Sequence, residues 1–319
     1  KGLHWSRAGG IGFGEHVTLD GGVLLKTGLD GSLYCIDTES SRTFWSVKVG
    51  ERLTGAPVAI DHDVYIATDT GRLYRIDLAS GSIMMQVDLP GAVTGSLVTD
   101  GRWLYMVTHD GALRAYDSRN GRQRWSAPLA PWTESTPAVD KGVVYVGDQK
   151  GVIRALDANN GNVRWETALD DEFARCPVVT DAHVIVGCRG GTLAVLNRTN
   201  GSVVWRKKTT SRFSYEPLVL DDKLLYFDET DRKAMLANLA NGAAAPVQVD
   251  HGRPGSPDLK PLEIADGPMT ALSYYRQHLF IVPRQMEDWH GGQRVNDIWI
   301  GVGGGTFHVL APRPEPEAK

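Results

Sequence analysis

No run of apolar residues in this chain approaches the eighteen or so that a helix needs to cross a bilayer, so no helical span is encoded. Cysteine is scarce: Cys35, Cys176 and Cys188 in 319 residues. None adjoins another, and no C-x-x-C-H signature occurs, which excludes a vicinal disulfide and covalent haem attachment. Cys176 and Cys188 fall on neighbouring strands of one expected hairpin, but three thiols in so long a chain read as unpaired rather than as a framework. The nine histidines are scattered without H-E-x-x-H or any short ligand spacing, so a metal site has no support. G-x-S-x-G is absent, and Gly301-Val-Gly-Gly-Gly305 lacks the Lys-Ser/Thr of a phosphate loop. Neither sign of charge dominates. A formal charge of −4 gives no bulk attraction to nucleic acid or anionic lipid.

What the chain has in abundance is itself. A unit with Gly first, Asp or Asn six residues on, a second Gly at ten (Ser41 in the first copy) and Trp at fourteen recurs every 40 residues, from Gly31, Gly71, Gly111, Gly151 and Gly191. A degraded copy follows at Arg232, one residue out of step. The acidic or amide position reads Asp37, Asp77, Asp117, Asp157, Asn197 and Asn238; the aromatic one reads Trp45, Met85, Trp125, Trp165 and Trp205. Trp5 stands 40 residues before Trp45. A period of this length means stacked supersecondary units.

Each feature has a local reading. The first Gly permits positive φ at a tight strand connection. The apolar residues after it form a short strand covered on both faces. The Asp or Asn caps backbone amides ahead of it, the second Gly completes the turn, and the Trp closes the next strand as a packing surface. Upstream lies a hairpin signal led by Pro57, Pro137, Pro177 and Pro217 on the same 40-residue period, with Val17 and Leu97 substituting. Proline suits a strand's first residue or a sheet edge. Each repeat is therefore four short antiparallel strands, which is a propeller blade.

The pattern G-x-L-x-A-L-D-x-x-x-G-x-x-x-W resembles the repeat of the pyrroloquinoline-quinone-like (PQQ-like) β-propeller superfamily, in its BamB-like and sensor-domain branch. The resemblance covers nearly the whole chain and implies an all-β fold. For quinoprotein dehydrogenases of that superfamily it implies a calcium held by carboxylate and amide side chains, a catalytic Asp and often a vicinal disulfide against the quinone. Here the repeat Asp residues are consumed by turns and no adjacent cysteines exist, so no cofactor, metal or catalytic residue is expected.

Residues 1–8 carry a lone last strand around Trp5, which reads as a mature chain or excised domain rather than a leader. Full units follow through 248, the sixth degraded, with Pro246 where a last strand is due. A Pro/Gly-rich connection, His251 to Pro261, then reads as irregular. Strand signals return at Leu272–Tyr275 and His278–Val282, and at Ile298–Val302 beyond a polar insertion at 284–297. The expectation is a single seven-bladed β-propeller of four-stranded antiparallel blades over residues 1–311. Its seventh blade would be completed by residues 1–8, and 312–319 would form a disordered tail or linker.

In such a ring the loops between blades share a face with those joining second and third strands, and irregular loops on rigid scaffolds concentrate binding residues. The residues before each repeat proline would rim the channel there: Glu15, His16, Glu134, Arg175, Tyr215 and Glu216. Trp132 and Trp289 disobey the repeat and fall on loops; with Arg294 they are the expected partner contacts. The expected function is a non-catalytic binding or scaffold propeller for protein partners, placed in the periplasm or otherwise outside the cytoplasm. A peptide or small ligand at the channel mouth is a further option, and neither nucleic acid nor direct membrane insertion is expected. The alternatives are a ligand-sensing domain of a kinase-like receptor and a PQQ-dependent oxidoreductase. Ring closure has a direct test. An open ring exposes two sheet edges, so deleting residues 1–8 is expected to lower Tm by several degrees or cause aggregation, and an unchanged melting curve would remove the N-terminal segment from the last blade.

Overall fold

In the repeat that begins at Gly111 the chain reverses twice. Gly111 adopts φ +81, and a Cβ there would lie 3.0 Å from Pro131 Cα, so the connection accepts glycine on both counts. Asp117 ends the strand that follows. Its side chain accepts the Arg119 amide at 2.9 Å, its carbonyl accepts the Gly121 amide at 2.8 Å, and its own amide donates to the Arg122 carbonyl at 2.9 Å. The same carbonyl-to-glycine bond closes the turns at Asp77, Asp157 and Asn238, as expected of Asx turns.

The computed structural model describes residues 13–250 apart from 21, 29, 38–39, 41, 174–175, 210–212, 214–215, 221, 229–232 and 247, and beyond 250 the backbone of the strands. Side chains are described for residues 22–246 outside those gaps and residue 227. Two units are present, one of Ala8–Ala182 with Arg198–Ser202, the other of His183–Asn197 and Val203 onward together with Lys1–Arg7.

The first unit holds four antiparallel sheets whose strands lie side by side in chain order. The first is β1 (Phe13–Asp20), β2 (Val23–Gly28), β3 (Ser32–Asp37) and β4 (Thr43–Lys48). The second is β5 (Leu53–Ile60), β6 (Asp63–Thr68), β7 (Arg72–Asp77) and β8 (Ile83–Asp88). The third is β9 (Val98–Thr99), β10 (Trp103–Thr108), β11 (Ala112–Asp117) and β12 (Gln123–Pro128). The fourth is β13 (Ala138–Asp140), β14 (Val143–Gly147), β15 (Val152–Asp157) and β16 (Val163–Ala168), and β17 (Val178–Val179) follows. Pro137 and Pro177 stand immediately before the short first strands β13 and β17, whereas Pro57 sits within β5 beside a register shift.

The second unit contains β18 (His183–Gly187), β19 (Thr192–Asn197) and β20 (Val203–Lys208), then a sheet of β21 (Leu218–Leu220), β22 (Lys223–Asp228), β23 (Lys233–Asn238) and β24 (Ala244–Pro246). Pro246 thus ends a strand instead of replacing one; at a sheet edge its missing N–H costs no ladder bond. The stretch expected to be irregular, 251–261, ends in a strand, β26 (Leu259–Pro261), which pairs with β25 (Gln248–Asp250) just before that stretch. The last sheet, β27 (Met269–Tyr275), β28 (His278–Pro283), β29 (Gly292–Val295) and β30 (Ile298–Val302), departs further from expectation. Its order is β27-β28-β30-β29, with β30 parallel to β28. The expected polar insertion at 284–297 contains β29. Two residues, 296 and 297, separate β29 from β30; so short a link forces them antiparallel and leaves β30 to run alongside β28. The N-terminal strand expected around Trp5 lies outside the described residues.

Burial follows position in the sheet. Every residue of β10 and all but the last of β11 are buried, while fourth strands alternate, β12 burying Trp125 and Ala127 and exposing the rest. The repeat Trp is not the end of its strand, as its sequence position implied, but its third residue. The indole N–H of Trp45 donates to the Leu78 carbonyl at 2.8 Å, that of Trp125 to Ala158 at 2.9 Å, that of Trp165 to Arg198 at 3.0 Å and that of Trp205 to Leu239 at 2.7 Å. Each acceptor follows the Asp or Asn of the next repeat. The six-membered edge of each ring lies over that repeat's second Gly: Gly81, Gly161, Gly201 and Gly242. Where Met85 replaces Trp, the Ser118 carbonyl at the equivalent place takes the Tyr65 hydroxyl at 3.0 Å, as the Ala158 carbonyl takes that of Tyr105 at 3.4 Å beside the Trp125 indole. Cys35 occupies the small-residue slot of a buried cluster, and burial pushes its thiol pKa up.

This geometry separates two glycines with the same backbone. Gly142 (φ +74) has open space where a Cβ would go, whereas at Gly161 (φ +75) the Cβ would stand 2.7 Å from the Trp125 ring. Gly142→Ala should therefore cost about 1–2 kcal/mol from its left-handed backbone alone, and Gly161→Ala should cost roughly 1–3 kcal/mol more through overpacking. Urea unfolding of both variants checks this; equal losses would mean that the Trp does not press on the glycine.

Candidate functional site

Loops of two kinds meet at one end of the first unit's sheets. The Asp69 amide donates to the Arg52 carbonyl at 3.0 Å, the His109 amide to the Ala92 carbonyl at 2.8 Å, and the Leu129 amide to the Gly111 carbonyl at 2.8 Å. Each bond joins a connection between second and third strands to one that leads into the next repeat. The shared face expected from the repeat is thereby present in this unit, and it carries Trp132.

Trp132 is 61% exposed and has φ +63, a conformation that bulky side chains seldom adopt. Both flanks are tied down. Ala130 is buried and its carbonyl accepts the Thr133 hydroxyl at 2.6 Å; the buried Thr133 in turn gives its carbonyl to the Thr94 hydroxyl at 2.8 Å. Between those anchors the indole has nowhere to go but outward. The His109 ring meets it edge to face, with centroids 4.2 Å apart at 88°. Glu134 stands exposed two residues on.

Next to His109 in the chain, Asp110 forms an ion pair with Arg114. Both Asp110 oxygens accept from Arg114, at 2.7 and 2.5 Å, and the Thr108 hydroxyl adds a bond at 2.7 Å. The Arg114 side chain is 9% exposed. Its hydrogen bonds hold the Asp110 carboxyl below the ordinary carboxylate range, helped by Thr108 and opposed by desolvation.

Of the expected contact residues, Trp132 is brought against His109, which sequence reasoning passed over, and of those expected at the rim Glu134 stands exposed two residues along. The signal for it was available: His109 lies in a connection between second and third strands, on the face already expected. Glu216 is exposed in the second unit. Glu15 and His16 lie on β1, and Arg294 on β29, but their side chains fall outside the described set. Arg175, Tyr215 and Trp289 lie outside the described residues altogether. Among the described residues, no three His, Cys, Asp or Glu side chains converge as a metal site.

A family model described as outer membrane protein assembly factor BamB matches residues 2–81 and 29–245. The chain belongs to the BamB family. Among solved structures, it is similar to the crystal structure of BamB from Moraxella catarrhalis, with a TM-score of 0.66 over 84% of this chain and 93% of that one at 16% identity. It is also similar to the computationally designed Ika8 protein, with a TM-score of 0.65 over 82% of this chain and 78% of that one at 15% identity. At such identities the likeness speaks for the β-propeller fold. No curated protein matches the chain in sequence.

This BamB-family chain also has a cleft of about 320 Å³ in its first unit, lined by Lys141, Val143, Tyr145, Arg164, Asp181 and Arg198 among others. Its cations already have partners. Lys141 pairs with Asp181, Arg164 with Asp157 at 2.6 Å, and Arg198 with Asp140 at 2.6 Å. The loop face, in contrast, offers a pinned and exposed aromatic.

The Asp110 ion pair has a pH signature. A carboxylate with a lowered folded pKa contributes stability that is full above its unfolded value, near 3.9, and fades as pH falls through the folded value. Asp110→Asn should therefore be destabilised by a constant margin above about pH 5, and the gap to wild type should narrow toward pH 2. Thermal melts across that range check the sign; a gap that widens on acidification would refute it.

Proposed function

We propose that this BamB-family propeller is a non-catalytic scaffold of the bacterial envelope that binds protein partners through its loop face. Trp132 carries the reading. An exposed Trp whose neighbours are buried and hydrogen-bonded loses little freedom when a partner covers it, and Trp contributes disproportionately to interface energy. Membership of a family described by outer membrane assembly supports the envelope setting. In this reading residues 1–311 form one seven-bladed ring closed by residues 1–8, and 312–319 form a tail. Arg175, Tyr215, Glu216, Trp289 and Arg294 would extend the face begun by Trp132 and Glu134. No quinone, metal or catalytic group takes part.

A photo-crosslinking residue placed at position 132 or 134 is expected to yield one defined protein adduct in cells, and the same residue at Ile83, on an outer strand, is not. Equal adducts from all three positions would remove the site assignment. Supplying pyrroloquinoline quinone and calcium should bring no alcohol-dependent dye reduction; sustained reduction would restore the oxidoreductase reading.

A further inference from the structure

At the opposite end of the third sheet five side chains gather, four of which break the repeat. Arg102, Trp103, Arg119, Arg122 and Arg124 occupy positions that hold Gly142, Val143, Asn159, Asn162 and Arg164 one repeat later and His62, Asp63, Ala79, Ser82 and Met84 one repeat earlier. Four of those five places thus change chemistry on both sides. All four arginines are exposed, and no ion pair is formed by any of them among the described residues.

Two of them share one ring. The Arg102 guanidinium carbon lies 4.6 Å from the Trp103 ring centroid and that of Arg124 lies 5.5 Å from it, while Trp103 itself is 7% exposed. A register shift places Arg124 there: Ala115 faces Trp125 and Tyr116 faces Gln123, so Arg124 is the extra residue of a β-bulge. Stacking on an aromatic face leaves the in-plane N–H groups of a guanidinium available for a carboxylate fork. The Arg119 turn is fixed from beneath, its carbonyl accepting from Arg75 at 3.2 Å, and Arg75 is itself neutralised by Asp63 at 2.7 Å.

The nearby carboxylates are engaged by the fold. Asp100 accepts the Arg102 and Trp103 amides at 3.0 and 2.8 Å and the Tyr105 hydroxyl at 2.8 Å. Asp117 accepts the Arg119 amide. Four like charges thus stand at one sheet end without a mobile counter-ion from the protein, two of them on a common platform.

We propose that this arginine cluster is a second docking site, for an acidic segment of a protein partner rich in Asp and Glu. It lies apart from the loop face and does not depend on it. Charge complementarity argues for a narrow acidic occupant. The cluster is confined to one repeat: at the same end the earlier repeat carries Asp77, Ala79 and Ser82, and in the later one Arg164 is paired with Asp157, so the positive charge without an ion-pair partner is as narrow as one repeat. Bidentate guanidinium–carboxylate bonds give such a contact geometry as well as attraction.

The test is fluorescence anisotropy of a fluorescein-labelled octaglutamate peptide against the full chain at low and at physiological salt. Saturable binding that weakens with salt is expected. It should fall at least tenfold in the variant R102Q/R119Q/R122Q/R124Q, whose exposed substitutions should leave the thermal melt in place. The pair R102K/R124K keeps the charge but loses the stacked fork, and should bind severalfold more weakly than wild type. Equal octaglutamate binding by wild type and the fourfold variant would overturn the proposal. So would binding to vesicles containing phosphatidylglycerol without binding to the peptide, which would assign the cluster to a lipid surface. Crosslinks from position 132 report on the other face and are unaffected by either result.

Discussion

Every repeat in the described chain that has a tryptophan uses it to hold the next repeat, and this contact organises much else. The indole N–H satisfies a backbone carbonyl just past the next Asx turn, while the ring covers that turn's glycine. A hydrogen bond of this kind is worth about 1 kcal/mol net, but the buried carbonyl would cost more if left alone. The second glycine therefore serves two demands, a left-handed turn and a flat floor for the ring. Both demands disfavour a side chain, which fits the survival of that glycine as Gly242 in the copy whose first glycine has become Arg232.

The contact also fixes what the ends of the sheets can present. With the middle strands buried and the repeats locked together, variation is confined to turns, connections and outer strands. At the loop end, one departure from the repeat is a Trp in left-handed backbone, held out by Thr133 and Thr94. At the turn end, the departures are arginines stacked on Trp103. A rigid interior thus converts single substitutions into directed surface features, since the backbone beneath them does not relax.

The Met85 repeat shows how the interlock absorbs a loss. Thioether cannot donate, so the Ser118 carbonyl keeps only the Tyr65 hydroxyl of the preceding sheet, a bond that Tyr105 makes to Ala158 beside the indole of Trp125, and Gly121 is covered by Met85 and Val87 in place of an indole. The hydroxyl reaches the same acceptor from another strand because Tyr65 is itself fully buried in the stack. The connection between repeats is therefore a property of the carbonyl and glycine being covered, with Trp as the commonest means.

The period of 40, the Asx turns, the short proline-led strands and the buried third strands were legible in the sequence because each rests on interactions within a few residues. The family was legible for the same reason: its motif is local and copied. The Trp–carbonyl latch was not, since Trp125 and Ala158 stand in different repeats and each had a sufficient local reading. Trp132 could be singled out as a break in the rhythm, but its His109 neighbour and its left-handed backbone arise from packing between separate loops. The polar stretch at 284–297 hid strand β29, because pairing with β30, not composition, decides that it is extended. The sequence by itself determined the repeat and its turns, whose causes lie within a hairpin. Tertiary structure alone decided which side chains of different hairpins share a ring, a carbonyl or an exposed face, because those contacts depend on how one sheet stacks against the next.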